Sequence, residues 1–491
     1  MMRNRFALLL APGVVGLLIP APMPAADINL AQGMIAGEVT ATSVILQTRL
    51  TAVPAPRDGA VPGATGVARF AVADNPGFRD AQLTDWLEAR EAADFIVRKK
   101  ITGLRPGTRY HYRAEFGATR VEARPGPAAS LRTLPGPAAS ARVSFVASSC
   151  MNYVAFHLGR GGSGGGYQGP DKPLGYPALP HILGLAPDFW IGNGDNVYYD
   201  HIKSAPARTP AQMRAKWHEQ FAMPRLRELL AQVPACFLKD DHEYRYDDAD
   251  STPGREPSHD LGIRIFREQV PIVDPADPGA VTYRTVRAGR HLQVWFLEGR
   301  DFRSANEMPD GPGKSIWGRV QLAWLKRTLR ESDATYRIIV SPSPLIGPDN
   351  SRKHDNHADI GGFQHEGGEF FAWLAGEGFD RERLFIVCGD RHWKYHSRHP
   401  TGYEEFGTGA LNTENAIVGT RFAPGLPTSS DPEGRMRRFF ADDVARGGFL
   451  GVVVTPDVRL EAPVELAFTL YDDHGRPLYA VTKSTRSDAR R

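Results

Sequence analysis

The sequence predicts a chain of two parts, a β-sandwich followed by a larger α/β domain. Residues 33–134 consist of short β-type runs separated by Pro- and Gly-rich turns. The stretch LPGPAAS at 134–140 has the composition of a linker, and beyond it strand-like runs alternate with helical ones. A chain of 491 residues is also too long for one small core. We therefore predict a β-sandwich domain over residues 27–137 and an α/β domain over residues 138–491.

The β-sandwich is predicted from the runs MIAGEV, SVILQTRL, GVARFAVA and YHYRAEF, which turn-forming residues separate. In GLRPGTRYHYRAEFG a turn precedes alternating aromatic residues. This pattern is typical of an immunoglobulin- or fibronectin-like sandwich.

The α/β domain is predicted from the alternation of buried strands such as RVSFVASS and RLFIVCGDRH with helical segments. In TPAQMRAKWHEQFAMPRLRELLAQ the residues Met213, Trp217 and Phe221 recur every four positions and give one apolar stripe. Helices that alternate with buried strands imply sheet layers covered by helices. The last fifty or so residues return to β character, and we expect them to add edge strands to the same domain.

Composition excludes several classes of protein. The chain is 42% hydrophobic and 23% charged, as soluble globular proteins are, and its formal charge of +3 is spread along the sequence. No nucleic-acid-binding surface is therefore expected. Three cysteines exclude a disulfide-stapled scaffold.

The first 26 residues have the pattern of a secretory signal peptide. Two arginines precede an apolar stretch that Pro and Gly interrupt, and small residues lead up to Asp27. The sequence thus predicts cleavage near residue 26, a periplasmic or secreted protein, and no stable transmembrane anchor. An uncleaved anchor is the alternative reading.

Residues able to bind metal follow four apolar runs. Unpaired buried carboxylates cost several kcal/mol each, by order of magnitude, and bound cations remove that cost. Four such endings in one domain are therefore hard to explain by packing alone. The residues concerned are Cys150, Asp195 with Tyr198, Asp240 and Asp241 with His242, and Asp390 with His392.

The acidic stretch FLKDDHEYRYDDAD, residues 237–250, allows three readings: a solvated loop, a cation site, or both together. The apolar run before it favours a buried strand that ends at a ligand-binding sheet edge. Carboxylates suit hard ions such as Ca²⁺, Mg²⁺ or Mn²⁺, whereas thiolate, phenolate and imidazole suit iron or zinc. A carboxylate that bridges two unlike ions is the natural arrangement, and Asp195 is our choice for it.

Three further segments have weaker patterns. Arg300 follows another apolar run and is predicted either to grip a phosphate oxygen or to pair with Asp301 or another neighbour. His354, His357 and His365 fall in RKHDNHADIGGFQHEGG, residues 352–368, which contains Gly, Asn and Asp. We interpret this stretch as a loop at the substrate mouth rather than a second metal site. The glycine-rich GRGGSGGGYQGP is interpreted as a flexible loop, because it lacks the Gly-Lys-Ser/Thr of a phosphate-binding loop.

The segments GNGD, DDHE and GDRH, with Cys150 at the end of the first strand, resemble the alkaline phosphatase D (PhoD-like) family of metallophosphoesterases. AQGMIAGEVTATSVILQTRL resembles the fibronectin-like N-terminal domain of that family, and WGRVQLAWLKRTL resembles part of its catalytic domain. The resemblance covers nearly the whole mature chain.

This resemblance implies a four-layer α/β/β/α metallophosphoesterase sandwich after a fibronectin- or immunoglobulin-like β-sandwich domain. It implies an Fe³⁺-type ion and one or two Ca²⁺-type ions, with zinc, manganese or magnesium as alternatives, and Asp195 would bridge the ions. Asp241 would occupy a position where related enzymes have an Asn ligand, and His242 would face the scissile phosphate. Asp247 stands where some relatives carry Asn and is a further candidate ligand. The ligands of the Fe³⁺-type ion would be Cys150, Asp195, Tyr198, Asp390 and His392.

The expected function is that of a secreted metal-dependent phosphoesterase of the alkaline phosphatase or phosphodiesterase type. A metal-bound hydroxide at a multinuclear site would attack a phosphate-ester substrate, and His242 would protonate the leaving alkoxide or stabilise its charge. Two alternatives stay open: a non-catalytic, metal-containing cell-surface binding protein, and a metal-dependent hydrolase that acts on another ester.

Overall fold

The computed structural model describes most of the chain. Among the described residues no helix combines the length and the apolar character that crossing a membrane requires. The predicted signal peptide, residues 1–26, lies outside them. The described residues are 27–57, 59–160, 165–349, 353–419, 431, 433–456 and 463–485.

The described strands are numbered in chain order. They are β1 Met34–Gly37, β2 Val44–Arg49, β3 Gly66–Ala73, β4 Gln82–Leu83, β5 Leu87–Ala89, β6 Ile96–Ile101, β7 Arg109–Gly117, β8 Arg124–Pro125, β9 Ala129–Arg132, β10 Val143–Ser148, β11 Phe189–Asn193, β12 Ala235–Leu238, β13 Arg284–Ala288, β14 Leu292–Phe296, β15 Tyr336–Ser341, β16 Leu384–Cys388, β17 Lys394–Arg398, β18 Glu404–Thr408, β19 Arg437–Ala441, β20 Gly448–Thr455, β21 Glu465–Asp472 and β22 Pro477–Ser484.

The predicted apolar stripe of the first long helix is buried, as its four-residue spacing requires. Met213 and Trp217 have no exposed surface, and Thr209 and Gln212 form a capping box at the start of that helix. The described α-helices are α1 Tyr153–Leu158, α2 Ala178–Gly184, α3 Pro210–Phe221, α4 Pro224–Gln232, α5 Asp241–Tyr244, α6 His259–Gln269, α7 Gly318–Glu331 and α8 Gln364–Gly376.

Two large sheets pack face to face between helices. The first runs in the order β22-β21-β20-β10-β11-β12-β1-β2-β6, and the second in the order β13-β14-β15-β16-β18-β17-β19. Phe145 of β10 and Ile338 of β15 belong to one apolar core between these sheets. On the outer faces, Trp190 packs with residues of α2, α3, α4 and α6, and Ile339 packs with residues of α7 and α8. The layers therefore follow the predicted α/β/β/α order.

The strands that precede the predicted ligands are parallel. In the first sheet β10 pairs with β11 and β11 with β12, and in the second β14 pairs with β15 and β15 with β16, all in parallel. The side-chain amide of Asn193 donates to the backbone carbonyl of Ser341 over 3.0 Å and joins the carboxyl edges of the two sheets. Loops that follow strands of both sheets consequently meet at one edge.

The N-terminal region forms a β-sandwich that shares a sheet with the rest of the chain. A third sheet, β4-β3-β7-β8 with β5 and β9, contributes Phe70 and Tyr112 to the same core cluster as Val44 of β2. Next to β2, strand β1 pairs in parallel with β12. The division at residues 137 and 138 stays a prediction, because one continuous sheet crosses it. At the opposite edge, β20 pairs with β10, and β21 and β22 extend the sheet.

Candidate metal centre

Four predicted ligands from three strand ends contact one another. The Cys150 thiol lies 3.3 Å from Asp195 Oδ2, and the Tyr198 hydroxyl donates to the same oxygen over 3.1 Å. The Tyr198 hydroxyl is also 3.5 Å from His392 Nε2. Cys150, Asp195 and His392 each offer one atom to a group whose atoms lie within 4.8 Å of one another. A thiol, a carboxylate, a phenol and an imidazole therefore face one small volume.

Three of the predicted ligands have a left-handed backbone although none of them is glycine. The φ angles are 56° at Cys150, 55° at Asp195 and 62° at Asp390. Each such residue costs about 1–3 kcal/mol, and such residues concentrate at functional sites where the surrounding structure enforces them. At Asp195 the buried Glu243 carboxylate provides that support, because it accepts the Asp195 amide at 2.8 Å and the Asn196 amide at 3.3 Å.

The carboxylates at this edge form further overlapping groups. Asp195, Asp241 and His242 make one group, and Asp240, Asp241 and Asp390 make another. Buried atoms without a hydrogen-bond partner include Asp195 Oδ1, Asp240 Oδ2, Asp241 Oδ1 and His392 Nδ1. Buried polar atoms are nearly always satisfied in folded proteins, so these orphaned donor and acceptor atoms fit a site that cations complete.

The pKa shifts of the clustered groups also indicate that positive charge is missing from this site. Burial, with a contribution from Asp241, raises the pKa of Asp195 well above its usual value. Burial and the Asp195 carboxylate likewise raise the pKa of the Cys150 thiol. Burial and the Arg160 guanidinium lower the pKa of His392, which favours the neutral imidazole that binds metals. A bound cation would lower the pKa values of Asp195 and Cys150 again, because it favours their anionic forms.

His242 is held by a carboxylate that the sequence analysis did not single out. Its Nδ1 is 2.7 Å from Asp200 Oδ1, and its ring stacks on Tyr198 with 4.0 Å between the ring centroids. Its Nε2 is 3.8 Å from Asp247 Oδ1. Although burial opposes protonation, the Asp241 and Asp200 carboxylates raise the pKa of His242 well above its usual value. Asp200 thus fixes the ring while Nε2 stays available.

A cavity of about 550 Å³ opens onto these residues. Its walls contain side chains that commonly bind metals, positively charged side chains, and the exposed apolar side chain of Ile202. The lining includes Asn152, Arg160, Tyr198, Asp200, His201, Ile202, His242, Asp247, Asp248, Lys353, Asp390, Arg391, His392, Trp393, Asn415 and Ile417.

Arg300 is not brought to this cavity. Its guanidinium is fully buried, its Nε donates to Asp240 Oδ1 over 2.7 Å, and one terminal nitrogen donates to the Ala249 carbonyl over 2.8 Å. This corresponds to the ion-pair reading of Arg300, with Asp240 rather than Asp301 as its partner. Asp247 does reach the cavity, but its side chain is 70% exposed.

Several cavity residues escaped the sequence analysis. Arg391 belongs to the quoted GDRH segment, and its position between Asp390 and His392 could have identified it from the sequence. In the structure it pairs with Asp349 and Asp390. Lys353 belongs to the stretch interpreted as the substrate mouth and pairs with Asp248. The three histidines of that stretch form no ligand group in the ranges that the structure describes, and His357 pairs with Glu366 over 2.9 Å instead.

Comparison with known proteins gives two family matches. The family described as PhoD-like phosphatase matches residues 145–434, and PhoD-like phosphatase, N-terminal domain, matches residues 18–135. No curated protein matches the sequence significantly.

Two solved structures share the fold of the chain. A structure of PhoD is similar with a TM-score of 0.70 at 18% identity, over 95% of this chain and 94% of that one. Purple acid phosphatase PPD1 from yellow lupin (Lupinus luteus) seeds is similar with a TM-score of 0.56 at 12% identity, over 91% of this chain and 73% of that one. The fold class predicted from the sequence is confirmed.

Proposed function

The chain belongs to the PhoD-like phosphatase family, and on this basis we propose that it is a secreted, metal-dependent phosphoesterase that hydrolyses phosphate monoesters, diesters or both. The observation that carries the proposal is the meeting of Cys150, Asp195 and His392, from the ends of three strands in two sheets, within 4.8 Å of one another. Thiolate, carboxylate and imidazole are all ligands of transition metals, so a bound cation would account for their meeting.

The residues divide into two sets of ligands. Cys150, Tyr198 and His392, with Asp195 and Asp390, suit an iron ion, because thiolate, phenolate and imidazole accompany the carboxylates. Asp240 and Asp241 add only carboxylate oxygens, which suit calcium, with magnesium or manganese as alternatives. Zinc is the alternative to iron. Bound cations would neutralise phosphate oxygens and lower the pKa of water.

The protein side chains around the ligands bind and orient the substrate. His242, fixed through Nδ1 by Asp200, directs Nε2 toward the cavity and protonates the leaving alkoxide oxygen. Arg160 lines the same cavity, and its guanidinium can bind a phosphate oxygen. Lys353 and Arg391 also line it, paired with Asp248 and with Asp349 and Asp390. Arg300 acts as a positioning residue, because it holds Asp240 from a fully buried position.

Export and domain organisation complete the proposal. Residues 1–26 would be removed as a signal peptide, which places the mature protein in the periplasm or outside the cell. Residues 27–137 would form the fibronectin-like domain, and residues 138–491 the catalytic domain with its C-terminal edge strands.

The test uses the purified chain with nitrophenyl phosphate and bis(nitrophenyl) phosphate. We expect hydrolysis that chelation abolishes and that Asp195→Ala reduces at least about 1,000-fold, since this residue touches both ligand sets. Asp333→Ala, at a carboxylate that is 91% exposed, is the matched control and should leave the rate unchanged. Full activity of Asp195→Ala would refute the assigned site. Metal binding without any phosphoester turnover would instead favour a binding protein, and turnover of carboxylate esters alone would favour another hydrolase.

A further inference from the structure

A second cavity, of about 270 Å³, lies between the N-terminal sandwich and helix α4. Met34 of β1, Ala129 of β9 and Ala231 of α4 are among the apolar residues that line it. Of the described residues in its walls, only Arg227 and Glu228 carry a charge. Cavities that bind small molecules have this composition, with largely apolar walls and a few polar groups that orient the ligand.

The guanidinium of Arg227 has no anionic partner in the part of the chain that the structure describes. Its Nε is buried and has no hydrogen-bond partner. Burial alone lowers the pKa of Arg227, whereas a neighbouring carboxylate would raise it. By contrast Arg225, two residues earlier on the same helix, pairs with Asp171. The arginine of α4 that lines the cavity is therefore the one left without a counter-charge.

Both walls of the cavity are fixed by the fold. Arg227 extends from α4 to the N-terminal region, because a β-carbon placed on Gly33 would lie 3.7 Å from its Nε. The Tyr112 hydroxyl of β7 donates to the Ala231 carbonyl over 3.1 Å and holds α4 against the third sheet. The cavity thus exists before any ligand binds.

The charges at this cavity favour a ligand with one carboxylate. A guanidinium presents two parallel N–H donors that match the two oxygens of a carboxylate. The exposed Glu228 carboxylate, which follows Arg227 in the same wall, would repel a doubly charged phosphate more strongly than a singly charged carboxylate. The apolar walls favour an aliphatic body, and the volume suits a molecule smaller than a drug.

We propose that this cavity is a second binding site, separate from the metal centre, for a small aliphatic monocarboxylate. Its carboxylate pairs with the Arg227 guanidinium, and its chain packs against Met34, Ala129 and Ala231. The site goes beyond the proposed function, because none of the residues that line it is a metal ligand or a catalytic residue in that proposal.

Binding of hexanoate, hexanol and acetate to the metal-loaded chain, measured by ligand-observed NMR titration, tests this site. Hexanoate should bind about 10- to 150-fold more tightly than hexanol, which is the effect of a hydrogen bond to a charged group. It should also bind at least about 10-fold more tightly than acetate, because its additional methylene groups leave water. Arg227→Met should abolish the preference for hexanoate over hexanol and leave the binding of hexanol unchanged. Arg225→Met, on the same helix, is the matched control and should keep the preference.

Equal affinities of the wild-type chain for hexanoate and hexanol would overturn the inference, and so would a folded Arg227→Met chain that still prefers hexanoate. If Arg227→Met does not fold, Arg227→Gln serves in its place, and the wild-type comparison still decides. Asp195→Ala, which removes a predicted metal ligand, should bind hexanoate with unchanged affinity. Loss of binding in that chain would place the carboxylate on the metal ions and contradict a second site.

Discussion

The contact between Asp200 and His242 gives a prediction whose size follows from the structure. Asp200 Oδ1 is 2.7 Å from His242 Nδ1, and both side chains are largely buried, at 17% and 14% exposure. A hydrogen bond to a charged group contributes about 1.5–3 kcal/mol. If it holds the ring in position as Nε2 protonates the leaving group, Asp200→Ala should lower kcat about 10- to 150-fold.

The assay separates orientation of His242 from general damage. A nitrophenolate leaves without much help from an acid, whereas an alkoxide needs a proton, so the loss in kcat should be larger for an alkyl phosphate than for nitrophenyl phosphate. Asp200→Asn keeps one acceptor oxygen for the Asp247 amide, which Asp200 Oδ2 accepts over 2.6 Å, and it should show the same leaving-group dependence with a smaller effect on stability. Equal losses on both substrates would refute the orienting role, and so would a normal rate on the alkyl phosphate.

Three further predictions concern stability. Glu243→Ala removes the acceptor of the Asp195 amide, and the free energy of unfolding measured in urea should fall by about 2–4 kcal/mol, whereas a loss below about 0.5 kcal/mol would contradict this support. Burial opposes ionisation of Glu404, but the His396 imidazole outweighs burial and lowers the pKa of Glu404 to about 2. Ionised Glu404 therefore stabilises the folded chain fully above its ordinary pKa of 4.5, and this stabilisation is lost as the pH falls toward 2. Glu404→Gln should therefore reduce, by at most about 2 kcal/mol, the stability difference between about pH 6 and about pH 3, and an unchanged difference would contradict the pairing. Trp217→Ala should cost about 3–5 kcal/mol in thermal unfolding, because this side chain is fully buried, and a cost near zero would contradict its place in the core.

Much of the site could be predicted because it obeys the geometry of sheets. Cys150, Asp195 and Asp241 each follow an apolar run, and parallel strands bring their carboxyl ends to one edge whatever the loops do. The four layers follow from the same alternation of strands and helices. The N-terminal sandwich could be predicted from its turns, but the pairing of β1 with β12 could not, since it joins residues about 200 positions apart.

The parts that sequence reasoning did not find depend on contacts between distant segments. The partner of Arg300 is Asp240, which follows a strand of the other sheet, so no local pattern could choose between an ion pair and a phosphate contact. Lys353 lies in a loop more than 100 residues after Asp248. Asp200 stands five residues after Asp195, yet only the fold shows that its carboxylate meets His242.

The central claim is that one metal ion joins the ends of strands from both sheets. X-ray absorption spectroscopy of the purified chain at the edge of its bound transition metal tests this directly, because sulfur scatters differently from nitrogen and oxygen at ligand distance. We expect one sulfur ligand in the wild-type spectrum and its loss in Cys150→Ser, with Cys236→Ser unchanged, since Cys236 is also buried but belongs to the apolar core between the sheets. A transition metal with no sulfur ligand, or a spectrum that Cys150→Ser leaves intact, would contradict the account.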